Sequence, residues 1–205
     1  MSEQLVDENT ALHTPGIEPV SPQPTIVRSL RELLRTGIQF KTVLADPPWR
    51  YDNTASRAAA ENHYSTLSVE DICSEPVSEL VGDNAHLHLW TTNGFIEPAF
   101  KVMRAWGFEY KSCMVWVKPS IGMGNYWRVS HEFCLFGIRG KLPFGRNDVP
   151  SWLKSPRSIH SRKPFAFREL IEQVSPGPYL ELYGRVEQPN TDWTVYGNQV
   201  ERRLF

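Results

Sequence analysis

Residues 40–49 read Phe40-Lys41-Thr42-Val43-Leu44-Ala45-Asp46-Pro47-Pro48-Trp49. Phe40–Ala45 is short and largely apolar, which reads as a buried strand. It stops on an acid followed by two prolines. Proline has no N–H to give to a sheet ladder, so the strand has to end there. Outward from this point the chain keeps the same alternation. Ala85–Thr91, Ser112–Lys118, Glu132–Arg139, Tyr179–Tyr183 and Trp193–Gly197 are further strand-like runs. Amphipathic stretches lie between them. Ser68 opens one, with Asp71 three residues on as a capping-box partner. Gly94–Trp106 follows Asn93, an N-cap residue type. Pro164–Val174 starts on a proline suited to a first turn and stops before Ser175-Pro176-Gly177-Pro178. Alternating strands and helices predict an α/β domain with a mostly parallel sheet. Runs 112–118 and 132–139 leave no room for a long helix between them, which predicts an antiparallel pair at a sheet edge.

The 205 residues are 40% apolar and 22% charged, with a formal net charge of −1. This describes one globular domain and no polyelectrolyte. Residues 1–25 hold four prolines and four acids without Lys or Arg, a tail composition, so the domain is expected over 26–205. Phe133–Arg168 is the opposite, with eight basic residues against the single acid Asp148. That segment is a candidate phosphate-contacting surface, or a solvated loop with scattered charge. Cys73, Cys113 and Cys134 form no Cys-x-x-Cys pair and are odd in number, which argues against a disulfide framework or a zinc site. The six histidines show no zinc-type spacing with them, and no metal is expected. His86 and His88 share one strand face, where the flanking pattern reads as sheet packing. No run is long enough for a membrane span, and Met1–Thr10 has neither the basic nor the apolar region of a signal peptide. A cytoplasmic protein is the expectation.

The chemistry concentrates in Asp46-Pro47-Pro48-Trp49. An exocyclic amine on an aromatic ring is a poor nucleophile, because its lone pair is delocalised. It carries two N–H donors. The Asp46 carboxylate and the Pro47 carbonyl are two acceptors side by side, and neither proline adds a competing donor. Gripping both N–H groups favours a pyramidal nitrogen. The proline rings stiffen the loop, and Trp49 offers a flat face for an extruded base. A strand-ending turn beside a core tryptophan is the plain alternative.

The motif resembles that of amino-methyltransferases. The chain as a whole resembles the family of the catalytic subunit of the messenger-RNA N6-adenosine methyltransferase, in its short bacterial and phage form. The likeness runs from about residue 40 to 200, through ADPPWRYDN (45–53), ENHYSTLS (61–68), LHLWTTN (87–93), AWGF (105–108), VWVKPSIGMG (115–124), HEFCLFGIRG (131–140), HSRKP (160–164), SPGPYLELYGR (175–185) and YGNQV (196–200). It implies a Rossmann-like S-adenosylmethionine-dependent methyltransferase fold. The fold is permuted, so that the catalytic strand precedes the cofactor strand Tyr179–Tyr183 and the two are neighbours in the sheet. It implies catalysis by Asp46, Pro47, Pro48 and Trp49, and transfer to the N6 amine of adenine in nucleic acid, DNA before RNA.

For the cofactor, S-adenosylmethionine, the resemblance implies Asp46, Lys163, Gly184, Arg185, Asn198 and Gln199. On the substrate side it implies Tyr51, Asn53, Tyr64, Lys118, His131 and Glu132. Each tyrosine also reads as a buried structural residue, and His131 as a structural histidine. The chain departs from the family in two places. Nothing in 26–41 aligns with the family's acidic contact to the cofactor adenine, and Val186-Glu187-Gln188 replaces a His/Asn pattern. An RNA methyltransferase, or a silent nucleic-acid-binding subunit, are the alternatives. A homodimer and a partner subunit both stay open.

Overall fold

The computed structural model describes residues 25–27, 29–50, 66–122, 124, 126–157, 163–184 and 192–197. Eight strands form one sheet: β1 (Thr25–Val27), β2 (Phe40–Ala45), β3 (Val81–Thr91), β4 (Glu109–Val117), β5 (His131–Arg139), β6 (Trp152–Lys154), β7 (Tyr179–Leu182) and β8 (Trp193–Tyr196). Their spatial order is β1-β8-β7-β2-β3-β5-β4-β6. β5 is antiparallel to both β3 and β4, and the other pairings are parallel. The helices are α1 (Leu30–Thr36), α2 (Val69–Ser74), α3 (Val77–Leu80), α4 (Ile96–Ala105) and α5 (Phe165–Val174).

The central strands are apolar on both sides because both sheet faces are covered. Successive side chains point to opposite faces. Val43, Ala45, Leu87, Leu89, Leu180 and Leu182 thus join a core with α1 to α4, while Leu44, Trp90 and Tyr179 join a second core with Phe167 and Ile171 of α5. α4 places Ala99, Val102 and Met103 on one stripe, followed by the buried Trp106. The Trp106 indole N–H donates to Ile72 O at 2.9 Å and ties α4 to α2. The capping box of Ser68 and Asp71 is formed in full.

Three expectations are corrected. The antiparallel pair of β4 and β5 lies one strand in from the edge, because β6 adds to β4 through Val115–Val117. Asn93 does not cap α4. It opens a 3-10 turn over Asn93–Phe95, closed by Phe95 N–H to Thr92 O at 2.9 Å, which brings Phe95 inward as the residue before the helix. Pro164 stands at the N-cap of α5 rather than in its first turn. β1 pairs in parallel with β8 through Thr25–Val27.

Candidate active site

β2 is central, with Ala45 opposite Leu89 of β3 on one side and Leu182 of β7 on the other. Asp46 is therefore delivered at the carboxyl end of the strand between two parallel neighbours. Its N–H donates to Leu182 O at 3.3 Å. The prolines after it are held by backbone. Pro47 O accepts from Trp49 N–H at 2.9 Å, and Pro48 O accepts from Leu67 N–H at 2.9 Å. Arg50 N–H returns to Leu67 O at 3.2 Å, so Trp49 and Leu67 form an isolated parallel bridge. The Trp49 indole is buried. Its ring stacks on Phe95 with centroids 5.3 Å apart, and its N–H donates to Trp90 O at 3.3 Å. These contacts make Trp49 an anchor for the Asp46 loop, a different task from the base-stacking face expected for it.

The carboxylate of Asp46 faces Lys163, which stands two residues before α5. Lys163 Nζ lies 2.7 Å from both oxygens. The same ammonium lies 3.3 Å from Glu132 Oε2 and 5.1 Å from the centroid of the Trp90 ring. The other oxygen of Glu132 is bonded to Lys118, whose ammonium sits 4.4 Å from the centroid of Trp116. Asp46, Lys163, Glu132 and Lys118 thus form one chain of alternating charge, lined by two tryptophans. Burial alone would raise the Glu132 carboxyl, but the two lysines outweigh it and hold it below the ordinary carboxylate value. Leaving any member of such a partly desolvated chain without a partner is costly, which keeps the geometry fixed.

A second pair lies nearby on the same face. Arg168 of α5 bonds Glu181 of β7 and lies 4.1 Å over the Trp193 ring. Burial raises the Glu181 carboxyl despite that guanidinium, and the charge of Asp46 adds to the rise. The other terminal nitrogen of Arg168, Nη1, is buried without a hydrogen-bond partner among the described residues. Tyr183 then turns with φ 63°, a left-handed conformation that costs a non-glycine residue about 1 kcal/mol. Gly184 follows, and its N–H donates to Tyr196 O at 3.0 Å. A Cβ on Gly184 would collide with Val195 and lie 3.1 Å from Glu181 Cδ, and a Cβ on Gly197 would strike Gly184 O. Both glycines are thus required by close packing of the ends of β7 and β8.

Of the residues singled out from sequence, Asp46, Lys163, Glu132 and Lys118 are brought into contact, and Gly184 lies on the adjacent strand end. His131 is not with them. It neighbours Glu132 on β5 and so points to the opposite face, where its Nε2 lies 3.3 Å from Asn93 Oδ1 and its ring meets Phe133 edge-on. Tyr51, Asn53, Tyr64, Arg185, Asn198 and Gln199 lie outside the described residues. Trp90, Trp116, Arg168 and Glu181 were missed. The available signal was parity: Trp90 lies one residue past Leu89, which pairs with Ala45, and Arg168 lies three residues before the buried Ile171 on the packed side of α5. Among the described residues no group of His, Cys, Asp and Glu could hold a metal ion, and no helix is long and apolar enough to cross a membrane.

The carboxylate of Asp46 thus meets an ammonium at the end of a central parallel strand, next to a proline carbonyl, and the sequence around it is shared with known proteins. A model of the MT-A70 family matches residues 40–199. The chain belongs to the MT-A70 family. Among its relatives, the Type II methyltransferase M.MunI of a Mycoplasma species is 28% identical over 169 residues, 72% of each chain. The N(6)-adenosine-methyltransferase MT-A70-like protein of Drosophila melanogaster is 30% identical over 176 residues, which is 80% of this chain and 27% of that one. The mouse N(6)-adenine-specific methyltransferase METTL4 is 26% identical over 195 residues, 85% of this chain and 40% of its own. The MT-A70 match contains Asp46, Glu132, Lys118 and Lys163, so the whole charged chain falls inside it.

Proposed function

We propose that this MT-A70 enzyme transfers a methyl group from S-adenosylmethionine to the N6 amine of adenine in nucleic acid, with DNA as the polymer. The observation that carries this reading is the grip of Lys163 on both oxygens of Asp46 at 2.7 Å, at the end of β2. A carboxylate has about four lone-pair sites, and Lys163 takes from each oxygen once. Each oxygen keeps capacity to accept an N–H of the amine. Pro47 O, already accepting from Trp49 N–H, keeps its second lone pair for the other. With both N–H groups held, the nitrogen lone pair is freed from the ring and aimed. Asp46 then receives the proton that the nitrogen must lose on becoming methylated.

The residues present fit the cofactor. In an open α/β sheet, ligands bind beyond the carboxyl ends of strands where the winding reverses. Here β2 leads through α2 and α3 to β3 on one side, while β7 joins on the other after α5. Asp46, Lys163, Glu181 and Gly184 lie at or near the carboxyl ends of β2 and β7, beside that reversal. Carboxylates suit the sulfonium and ammonium of S-adenosylmethionine, and Lys163 suits its carboxylate. When bound, the cofactor supplies an electrophilic methyl group. The parallel pairing of β2 with β7, which follows it in the chain, supports the permuted order.

The equal 72% coverage with a Type II methyltransferase favours DNA. The N(6)-adenosine relatives keep RNA as the alternative. A silent binding subunit is disfavoured, because Asp46, Lys163 and Glu132 are present and in contact, with Pro47 next in the chain.

The test is methyl transfer from labelled S-adenosylmethionine to duplex DNA, single-stranded DNA and RNA, followed by digestion to nucleosides and mass analysis. N6-methyladenine in DNA is the expected product. Cofactor binding with no transfer to any polymer would overturn the reading.

A further inference from the structure

The segment 119–130 between β4 and β5, in which 123 and 125 lie outside the described residues, is held as a hairpin by bonds between its described residues. Lys118 N–H donates to Ser130 O at 2.7 Å, and Gly122 N–H donates to Val129 O at 2.7 Å. Arg128 Nε donates to Gly122 O at 2.6 Å. A Cβ on Gly122 would lie 2.8 Å from both Val129 O and Arg157 Nη2, and one on Gly124 would collide with Trp127 O. The turn is thus closed by glycine packing and cross-hairpin bonds, with Arg157 braced against its side.

The described residues near its tip are aromatic and bare. Tyr126 is 95% exposed and Trp127 90%, with Ile121 at 67%. Two adjacent large aromatic rings in water, on a built turn, mark a contact surface rather than scattered surface apolarity. The flanking charge names the partner. Residues 119–130 and 149–157 contain no Asp or Glu, and they contribute Arg128, Lys154 and Arg157. β6 runs parallel to β4 and carries the exposed Trp152, and Ser155 N–H donates to Val117 O at 3.1 Å. The chain after β6 therefore leads from the sheet edge to the hairpin, and brings its cations with it. Aromatic faces interleaved with cations, without acids, fit a phosphate backbone with unstacked bases.

We propose that the 119–130 hairpin is a nucleic-acid contact, in which Tyr126 and Trp127 stack on bases beside the target while Arg128, Lys154 and Arg157 meet phosphates, resting as it does on the nucleic-acid reading above. One end of the segment is Lys118 of the charged chain, and the other leads through His131 to Glu132 of the same chain. A base withdrawn from its stack leaves exposed neighbours, and aromatic side chains next to the extraction point replace the lost stacking.

The test is the anisotropy of a labelled adenine-containing oligonucleotide, single-stranded and duplex, across a salt series. Tyr126→Ala/Trp127→Ala should weaken binding about tenfold or more, with the slope of log affinity against log salt unchanged. Trp127→Phe should restore most of the affinity. Arg128→Gln/Lys154→Gln/Arg157→Gln should reduce the salt slope by about one unit per lost phosphate contact. In the transfer assay the aromatic double variant should raise KM for the polymer and leave kcat and calorimetric cofactor affinity as in wild type. Wild-type polymer affinity in that variant would overturn the assignment. So would a changed mass by light scattering with unchanged affinity per protomer, which would make the tip a protein contact. If the wild type methylates no polymer but the hairpin variants still lose binding, the transfer reading fails and the surface stands. If transfer proceeds with a KM indifferent to the tip, the surface fails and the chemistry stands.

Discussion

α5 has a polar cluster at each end, partly buried at the first and buried at the second, and the two are built differently. Before its first turn, Lys163 joins Asp46 and Glu132 in a charged chain. At its last residue the chain passes to Ser175, whose hydroxyl lies 2.9 Å from both His86 Nδ1 and His88 Nε2. The second cluster is neutral. Burial, aided by His86, pushes His88 down to about 3, and burial also lowers His86. Its protons can be assigned by exclusion. His86 Nε2 lies 3.0 Å from Leu142 O, which only accepts, so that nitrogen carries the hydrogen. His86 Nδ1 then accepts from Ser175, and the Ser175 oxygen accepts from His88 Nε2–H. The hydroxyl's proton is committed, and Phe136 and Phe144 close around the rings. At the charged end the carboxylate of Asp46 still has lone pairs to give among the described residues. Polar burial alone does not distinguish a site from a strut, whereas unspent hydrogen-bonding capacity does.

Four changes test that contrast. The largest effect belongs to Asp46→Ala, which should lower kcat about 10³-fold or more with the fold intact by circular dichroism. Wild-type turnover in a preparation free of contaminating enzyme would remove Asp46 from the chemistry. Next, Lys163→Met should weaken cofactor binding by calorimetry and cost about 2 kcal/mol of stability in urea, a figure kept low because both partners are partly exposed. Unchanged affinity would reassign Lys163 to structure alone. Ser175→Ala should act on stability only. It strands two ring nitrogens, costs about 2 kcal/mol, and leaves kcat and KM alone. A loss of transfer at wild-type stability would break the contrast between the two ends.

The smallest effect is a pH dependence. His88 binds its proton far less readily folded than unfolded, so between its ordinary 6.5 and about 3 the unfolded chain holds more protons. Stability then falls as the solution is acidified through that window. His88 alone should contribute roughly 1 kcal/mol of loss between pH 6.5 and 5.5. Glu132, held below its ordinary value, contributes in the same direction only at more acid pH. Thermal melts of His88→Phe should show a flatter pH profile over that range than wild type, and an identical profile would acquit the histidine.

Much of this was legible in the chain. β2 occupies Phe40–Ala45 as read, because an apolar run closed by Asp46-Pro47-Pro48 has one strand ending. The Ser68 and Asp71 box and the length of α5 were equally plain. β1 and β6 were not, since three residues carry no periodicity. β4 begins at Glu109, earlier than its apolar part, because Glu109 and Tyr110 pair with β5 while exposed, and the register shifts at Lys111 before the apolar part begins. In the site the individual residues were readable, and their connection was not. Lys163 and Asp46 are 117 residues apart, and only the sheet order brings them together. The parity of β5 could have separated His131 from Glu132 in advance. Trp49 misled because an aromatic after two prolines serves a core as well as a base.

The position of β2 also governs how the molecule is born. Its strand edges wait for β3 on one side and β7 on the other, and the Thr42 hydroxyl bonds Pro176 O across 134 residues of chain. At ribosomal speeds of roughly 5–20 residues per second, one edge of the central strand is left open for about 7–27 s. During that interval the nascent chain presents an unpaired apolar strand, the form most open to wrong pairing. The Asp46 carboxylate is among the first parts of the described domain to leave the ribosome and among the last to acquire its surroundings.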